Sequence, residues 1–173
     1  MGSERLDTVN APASTSRRWR VRPATVADVE TLVAMRRGMF EDMGMRDEPA
    51  LSAMCAASAA YFARALPAGE FRAWIADVDG TPVANGGLVI HAAPPTPANL
   101  AGREGYIMNF YTQPAWRGQG IATAILDTIL EYLRVEGIPQ ASLHATEAGR
   151  PIYERAGFRT SNEMRRRNPV APL

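Results

Sequence analysis

Arg117-Gly118-Gln119-Gly120-Ile121-Ala122 places a cation and two glycines at the head of a strongly periodic apolar segment that runs from Ile121 to Glu136. A helix starting near Gly120 leaves its first backbone N–H groups without intrahelical partners and puts the positive end of its dipole there. Glycines at 118 and 120 let a ligand approach the backbone with no Cβ in the way. Arg117 adds a cationic fork suited to phosphate. The chemistry this pattern would serve is pyrophosphate binding; the plainer alternative is an ordinary Gly-rich turn. A Walker loop requires Gly-Lys-Ser/Thr and is excluded, because all 19 basic residues are arginine. A dinucleotide fingerprint nearly fits Gly118-x-Gly120-x-x-Thr123, and Glu147 follows the next strand, but Thr stands where Gly or Ala is required.

The elements that must position this loop are legible from periodicity. Trp19 to Pro23 alternates and reads as a first strand. Val29, Leu32, Val33 and Met39-Phe40 recur at helical steps up to about Gly44, and Ala50 to Leu66 is a second helix by propensity. Phe71 to Asp77 and Thr81 to His91 form a hairpin around Asp79-Gly80, with Gly86-Gly87 hinting at a bulge. Glu104 to Thr112 is a long strand, Ile121 to Glu136 a helix, and Gln140 to Ala145 a strand. Arg150 to Ala156 is a short helix with proline in its first turn and Gly157 as its stop, and Phe158 to Arg166 is a last strand. The order β-αα-βββ-α-β-α-β predicts an α/β domain: a mixed, mostly antiparallel sheet flanked by helices, spanning 19–167. Residues 1–18, rich in Ser, Thr, Ala and Pro, read as a disordered extension, and 168–173 as a tail.

Composition narrows the function classes. Nineteen arginines stand against 18 acids, a net charge of +1 with the signs interspersed, which lacks the basic footprint of a nucleic-acid binder. The 46% apolar content suffices for one core. The single cysteine, Cys55, reads as a small packed residue and excludes an internal disulfide framework and a multi-Cys zinc site. No run of about 18 apolar residues exists to span a membrane, and Met1 to Arg18 has no apolar core of a secretory signal. The expectation is a cytoplasmic protein without metal, membrane or nucleic-acid partners.

Two segments together resemble the signatures of the GCN5-related N-acetyltransferase (GNAT) family. Arg117-Gly118-Gln119-Gly120-Ile121-Ala122 satisfies the coenzyme signature Arg/Gln-x-x-Gly-x-Gly/Ala, and Asn109 to Pro114 is similar to the strand that leads into it. Ile152-Tyr153-Glu154-Arg155-Ala156-Gly157-Phe158 is similar to the family's (Leu/Ile)-Tyr-Glu-x-x-Gly-Phe. The element order matches from Trp19 to Arg166.

The resemblance implies acetyl-CoA as co-substrate and an amine acceptor. It implies that backbone groups of Tyr111 and Thr112 hold the acetyl and pantetheine units. The amides of Arg117, Gly118, Gln119, Gly120, Ile121, Ala122 and Thr123 would hold the pyrophosphate, and Tyr153 would protonate the departing thiolate. His144 stands where relatives often carry Asn; it would contact the coenzyme, relay a proton or simply pack. For the general base, Glu104, Glu147, His91, His144 and water alone are all open. Glu41, Asp42, Asp47 and Glu48 cluster in the region expected to recognise the acceptor, either as an acidic mouth for a cationic amine or as a solvated face. The loop from Ala92 to Arg103 is a second candidate for acceptor recognition. The resemblance is compatible with a homodimer. A non-catalytic acyl-CoA-binding module is the alternative function, with a nucleotide-dependent oxidoreductase a distant third. Since the sequence has no lysine, any lysine such an enzyme acetylates belongs to another molecule.

Overall fold

Alternating residues closed by a proline form an edge strand, β1 (Trp19–Pro23), where the missing proline N–H costs no ladder bond. It pairs antiparallel with β2 (Arg72–Val78) from Trp19↔Val78 to Pro23↔Trp74. Asp79 and Gly80, both at positive φ (49° and 80°), turn the chain into β3 (Thr81–Ala92). β3 pairs antiparallel with β4 (Arg103–Thr112), and the short β5 (Gln140–Leu143) lies parallel to β4. The computed structural model describes residues 19–166 and shows one five-stranded sheet in the order β1-β2-β3-β4-β5. The expected N-terminal extension and C-terminal tail lie outside the described residues.

Helices cover both faces. α1 (Val29–Asp42) follows a 3-10 turn, and α2 (Glu48–Ala65) is capped by Asp47, whose carboxylate accepts from the Ala50 amide at 3.0 Å. α3 (Ile121–Val135) and α4 (Arg150–Arg155) complete the set. Alternate residues of β2 divide the interior in two, because successive side chains point to opposite faces. Ala73 and Ile75 join Leu32, Phe62 and Phe71 beneath α1 and α2. Trp74, Ala76 and Val78 join Ile121, Ile125, Ile129 and Leu133 beneath α3.

The expected last strand, Phe158–Arg166, does not form: residues 158–166 carry no strand. The element order therefore ends β-α rather than β-α-β. Only Phe158 and Met164 in that segment are apolar, and Met164 is 95% exposed, so the segment has no apolar face to bury against the sheet. Beside β5 runs a groove of about 700 Å³, lined among others by Leu133, Ile138, Ala141 and Phe158.

Candidate active site

The site begins where β4 loses one of its neighbours. Parallel pairing with β5 stops at Ile107↔Leu143, while β4 continues to Thr112 alongside β3. From Met108 to Thr112, one edge of β4 faces no strand. A bulge marks the same place: Asn85 pairs with Tyr111 and Gly87 with Met108, so Asn109 and Phe110 together oppose Gly86. The Gly86-Gly87 pair thus signals the bulge, but the extra residue belongs to β4. Asn109 takes φ +56°, a conformation that Asn tolerates better than most side chains. The Asn85 Nδ2 group donates to the Asn109 carbonyl at 2.9 Å and holds the bulge from β3. Gly86 leaves room for it, since a Cβ there would lie 2.6 Å from the Phe110 ring.

β4 leads through Gln113 and a 3-10 turn (Pro114–Trp116) into the glycine loop. Gly118 and Gly120 sit at φ +73° and +78°, and Gly120 is the N-cap of α3 with no side chain capping it. Among the described residues, the amides of Gly118, Gln119, Gly120, Ile121, Ala122 and Thr123 donate to no protein acceptor, whereas that of Ala124 reaches Gly120 O at 3.1 Å. No heavy atom lies within 4 Å of a Cβ built at 118 or 120. The result is an open concavity of unpaired N–H groups at the positive end of a helix, which favours an anion. The Arg117 side chain is not spare for that anion in this structure. Its Nε donates to the Thr112 carbonyl at 2.9 Å and its Nη2 pairs with Asp42.

Tyr153 of α4 approaches β4 from the α3 side. Its ring meets Phe110 edge-on at 6.1 Å and Phe158 at 6.0 Å. Its hydroxyl has no protein partner among the described residues, and burial raises its pKa above the ordinary tyrosine value. A phenol in that state stays protonated and free to donate. His144, one residue past β5, belongs to a different group. Its Nδ1 lies 2.5 Å from the Tyr106 hydroxyl oxygen and 2.7 Å from Arg165 Nη2, two neighbours for one ring nitrogen, and its Nε2 lies 4.0 Å from Glu163. The exposed His91 ring lies 5.8 Å from that of Tyr106, so the two histidines flank one tyrosine. Glu104 is half-buried opposite His91 on β3 and forms no ion pair among the described residues; Glu147 is exposed in the turn before α4.

A sequence profile described as the acetyltransferase (GNAT) family matches residues 37–158, most of the chain. The chain belongs to the GNAT acetyltransferase family. Its fold is similar to a GCN5-related N-acetyltransferase from Ralstonia eutropha JMP134, at 33% identity and TM-score 0.79, covering 89% of this chain and 99% of that one. It is equally similar to a predicted acetyltransferase with acetyl-CoA from Clostridium acetobutylicum, at 31% identity and TM-score 0.79, covering 87% and 96%. Glucosamine-6-phosphate N-acetyltransferase from Arabidopsis thaliana shares the fold at 12% identity and TM-score 0.65, covering 87% and 97%. No curated protein matches the chain.

In this GNAT acetyltransferase the acidic cluster of the α1–α2 region is already engaged. Arg37 pairs with Glu41 at 2.8 Å and with Glu48 at 2.6 Å, Asp42 holds Arg117, and Asp47 caps α2. One Arg37 charge serves two of these carboxylates and the amide at the Asp47 cap is neutral, so the cluster is hydrogen-bonded but keeps negative charge. Two side chains at the bulge escaped sequence reasoning. Arg36 of α1 donates to Asn109 Oδ1 at 3.0 Å and otherwise lies over the Phe40 ring at 5.1 Å; burial lowers its pKa from the ordinary value. Asn109 is buried with its Nδ2 unpartnered, as is Asn85 Oδ1 on β3. An Asn in the middle of an otherwise apolar and aromatic strand was the available signal for the bulge; nothing local marked Arg36. The acetyltransferase has no helix among its described residues long and apolar enough to cross a membrane.

Proposed function

We propose that this protein transfers an acetyl group from acetyl-CoA to the primary amine of a small molecule or a peptide or protein, by direct attack, with Tyr153 as general acid. The observation that carries the reading is continuity. The edge of β4 that no strand pairs, from Met108 to Thr112 where Arg117 Nε takes the last carbonyl, runs into the free amides of Gly118 to Thr123, and the unpaired Tyr153 hydroxyl belongs to the ring packed on β4 at Phe110. A long, thin ligand with a pyrophosphate at one end fits such a track. Acetyl-CoA would supply a thioester carbonyl for attack and a thiolate to leave.

Each role falls to this chain's own groups. The amides of Gly118 to Thr123 would hold the pyrophosphate, with no Cβ at 118 or 120 to fend it off. The open edge of β4 would take the pantetheine as an added strand, and one of its N–H groups would polarise the carbonyl. As the new N–C bond forms and the C–S bond breaks, Tyr153 Oη gives its proton to sulfur. The amine's proton goes to water. No acid stands on β4 between Tyr106 and Thr112, and Glu104 lies five residues before Asn109, roughly 17 Å along an extended strand. His144 would act on the Tyr106 side, its Nδ1 already in contact with Tyr106 and Arg165, rather than as a base on the amine.

The absence of a carboxylate on that part of β4 favours one second reading, a non-catalytic acyl-CoA-binding module. Thiol release across a panel of amines separates the two. Release that depends on an amine supports the enzyme; tight acetyl-CoA binding with no release from any amine supports the module.

A further inference from the structure

Among the described residues, Arg22, Arg37, Arg64, Arg103, Arg117, Arg134 and Arg165 all pair with carboxylates. Arg36 and Arg72 are half-buried and have none; Arg72 is held by the Gly69 carbonyl at 2.6 Å and lies over the Tyr132 ring, away from the bulge, whereas Arg36 sits at it. Its one hydrogen bond goes to a neutral amide oxygen, Asn109 Oδ1. Taking a guanidinium partly out of water without an anion costs free energy, and it leaves most of a five-donor fork unused. Folding alone does not call for this, because a neutral donor would hold Asn109 Oδ1 equally well. Beside it, Asn109 Nδ2 is a second donor, buried and without an acceptor. The α1 side of the bulge is therefore rich in donors and lacks an anion.

Its position relative to the reaction matters. Arg36 touches Asn109 from the α1 face, while Tyr153 touches the next residue, Phe110, from the α3 face. If Tyr153 serves the leaving sulfur, the α1 face is the side left for the incoming amine. The nearby acids are hydrogen-bonded elsewhere and none of them meets Arg36: Glu41 and Glu48 share Arg37, Asp42 holds Arg117 and Asp47 caps α2.

We propose that the acceptor is an amine that carries an oxyanion, a carboxylate or a phosphate, on the same molecule, and that Arg36 binds this oxyanion. Arginine's planar fork matches two oxygens of either group at once. The proposal rests on the acetyl-transfer reading and narrows it, away from polyamines and lysine-rich tails and toward amino acids, peptides with a nearby carboxylate, or amino phosphates. Arg36 is then a specificity-determining residue, and its contact with Asn109 fixes the fork at the bulge.

The test compares matched pairs at saturating acetyl-CoA: α- and ω-amino acids against their carboxamides, and aminoalkyl phosphates against the corresponding amino alcohols. Wild type should favour the anionic member of at least one pair by about tenfold or more in kcat/KM, the range expected for a charge-assisted contact. Which class wins distinguishes carboxylate from phosphate. In Arg36→Gln, which keeps a donor for Asn109 Oδ1, the preference should collapse through KM, with kcat and the acetyl-CoA Kd little changed. Arg36→Lys should restore part of it. Equal or better use of the neutral members by wild type overturns the proposal. So does a preference that survives in Arg36→Gln, or the failure of every pair in a protein that binds acetyl-CoA and releases thiol with other amines. Failure to bind acetyl-CoA, or binding with no release from any amine, would instead overturn the underlying functional reading.

Discussion

Arg36 and Tyr153 reach adjacent residues of β4 from opposite faces of the sheet, Arg36 through a 3.0 Å bond to Asn109 Oδ1 and Tyr153 through an edge-on contact with Phe110. The bulge makes this arrangement available. Its extra residue puts two neighbouring side chains opposite a single glycine and coincides with the point where β5 leaves β4. A cation and a protonated phenol are thereby held on the two sides of one opened backbone edge.

Removing the phenol should separate chemistry from binding. Tyr153→Phe keeps the ring contacts with Phe110 and Phe158 but has no proton to give, so kcat should fall by about 10²-fold. The acetyl-CoA Kd should stay within about twofold. Steady-state thiol release and calorimetric titration measure the two quantities, and an unchanged kcat removes Tyr153 from the mechanism. Because burial raises the Tyr153 pKa, its acid form persists at and above neutral pH. Any alkaline loss of kcat from this group should therefore begin only above the ordinary tyrosine range.

Arg117 makes the opposite prediction from the one its place in the motif suggests. Its guanidinium is engaged by Thr112 O and Asp42, and the anion cradle consists of backbone amides. Arg117→Ala should weaken acetyl-CoA binding by less than about tenfold, below the loss expected for a direct charged contact. Titrating wild type and variant side by side decides it, and a loss near a hundredfold would assign Arg117 to the phosphates directly.

The glycines should be far less tolerant. Both Gly118 and Gly120 lie at positive φ with open space around them, so alanine at either position is strained by backbone conformation and not by a clash with the protein. Each substitution should cost about 1–2 kcal/mol of stability, a fall of roughly 2–8 °C in Tm for a domain of this size. The added methyl also points into the cradle, so the acetyl-CoA Kd should rise by more than about tenfold. Calorimetry in the absence and presence of acetyl-CoA reads both effects.

Far from the site, one ion network sets an acid limit on stability. Arg22 bonds to both oxygens of Asp28, at 2.7 and 3.0 Å, and to Asp77 at 2.5 Å. The Arg22 bond, followed by the Thr25 amide, holds the Asp28 carboxyl down at about 2. A carboxylate depressed in the folded state stabilises above its unfolded pKa and loses that contribution as pH falls through the folded value. The contribution is thus complete above about pH 4 and gone below about pH 2, with a size of about 2 kcal/mol at neutral pH. Asp28→Asn should lower neutral-pH stability by about that amount and flatten the stability profile between pH 4 and 2, as urea unfolding at a series of pH values would show.

The local pieces of this molecule were legible because their causes are local. Gly118 and Gly120 announce their conformation by having no Cβ, Asp79-Gly80 announces a hairpin, and the period of Ile121, Ile125, Ile129 and Leu133 announces one face of a helix. The two signature segments, and with them the family, could be read on the same basis. What only the tertiary structure decided is who meets whom. Arg36 finds Asn109 across 73 positions of sequence, and Arg117 finds Asp42 across 75. The second pairing leaves an apparent phosphate cation engaged elsewhere, and the first creates a cation without an acid. The last strand failed for a related reason: Phe158 to Arg166 reads as extended, but strand formation needs a partner edge and a buried face, and its side chains supply no such face. Spacing along the chain sets conformation residue by residue; the charge that remains uncompensated at the site depends on distances that exist only once the sheet and helices have packed.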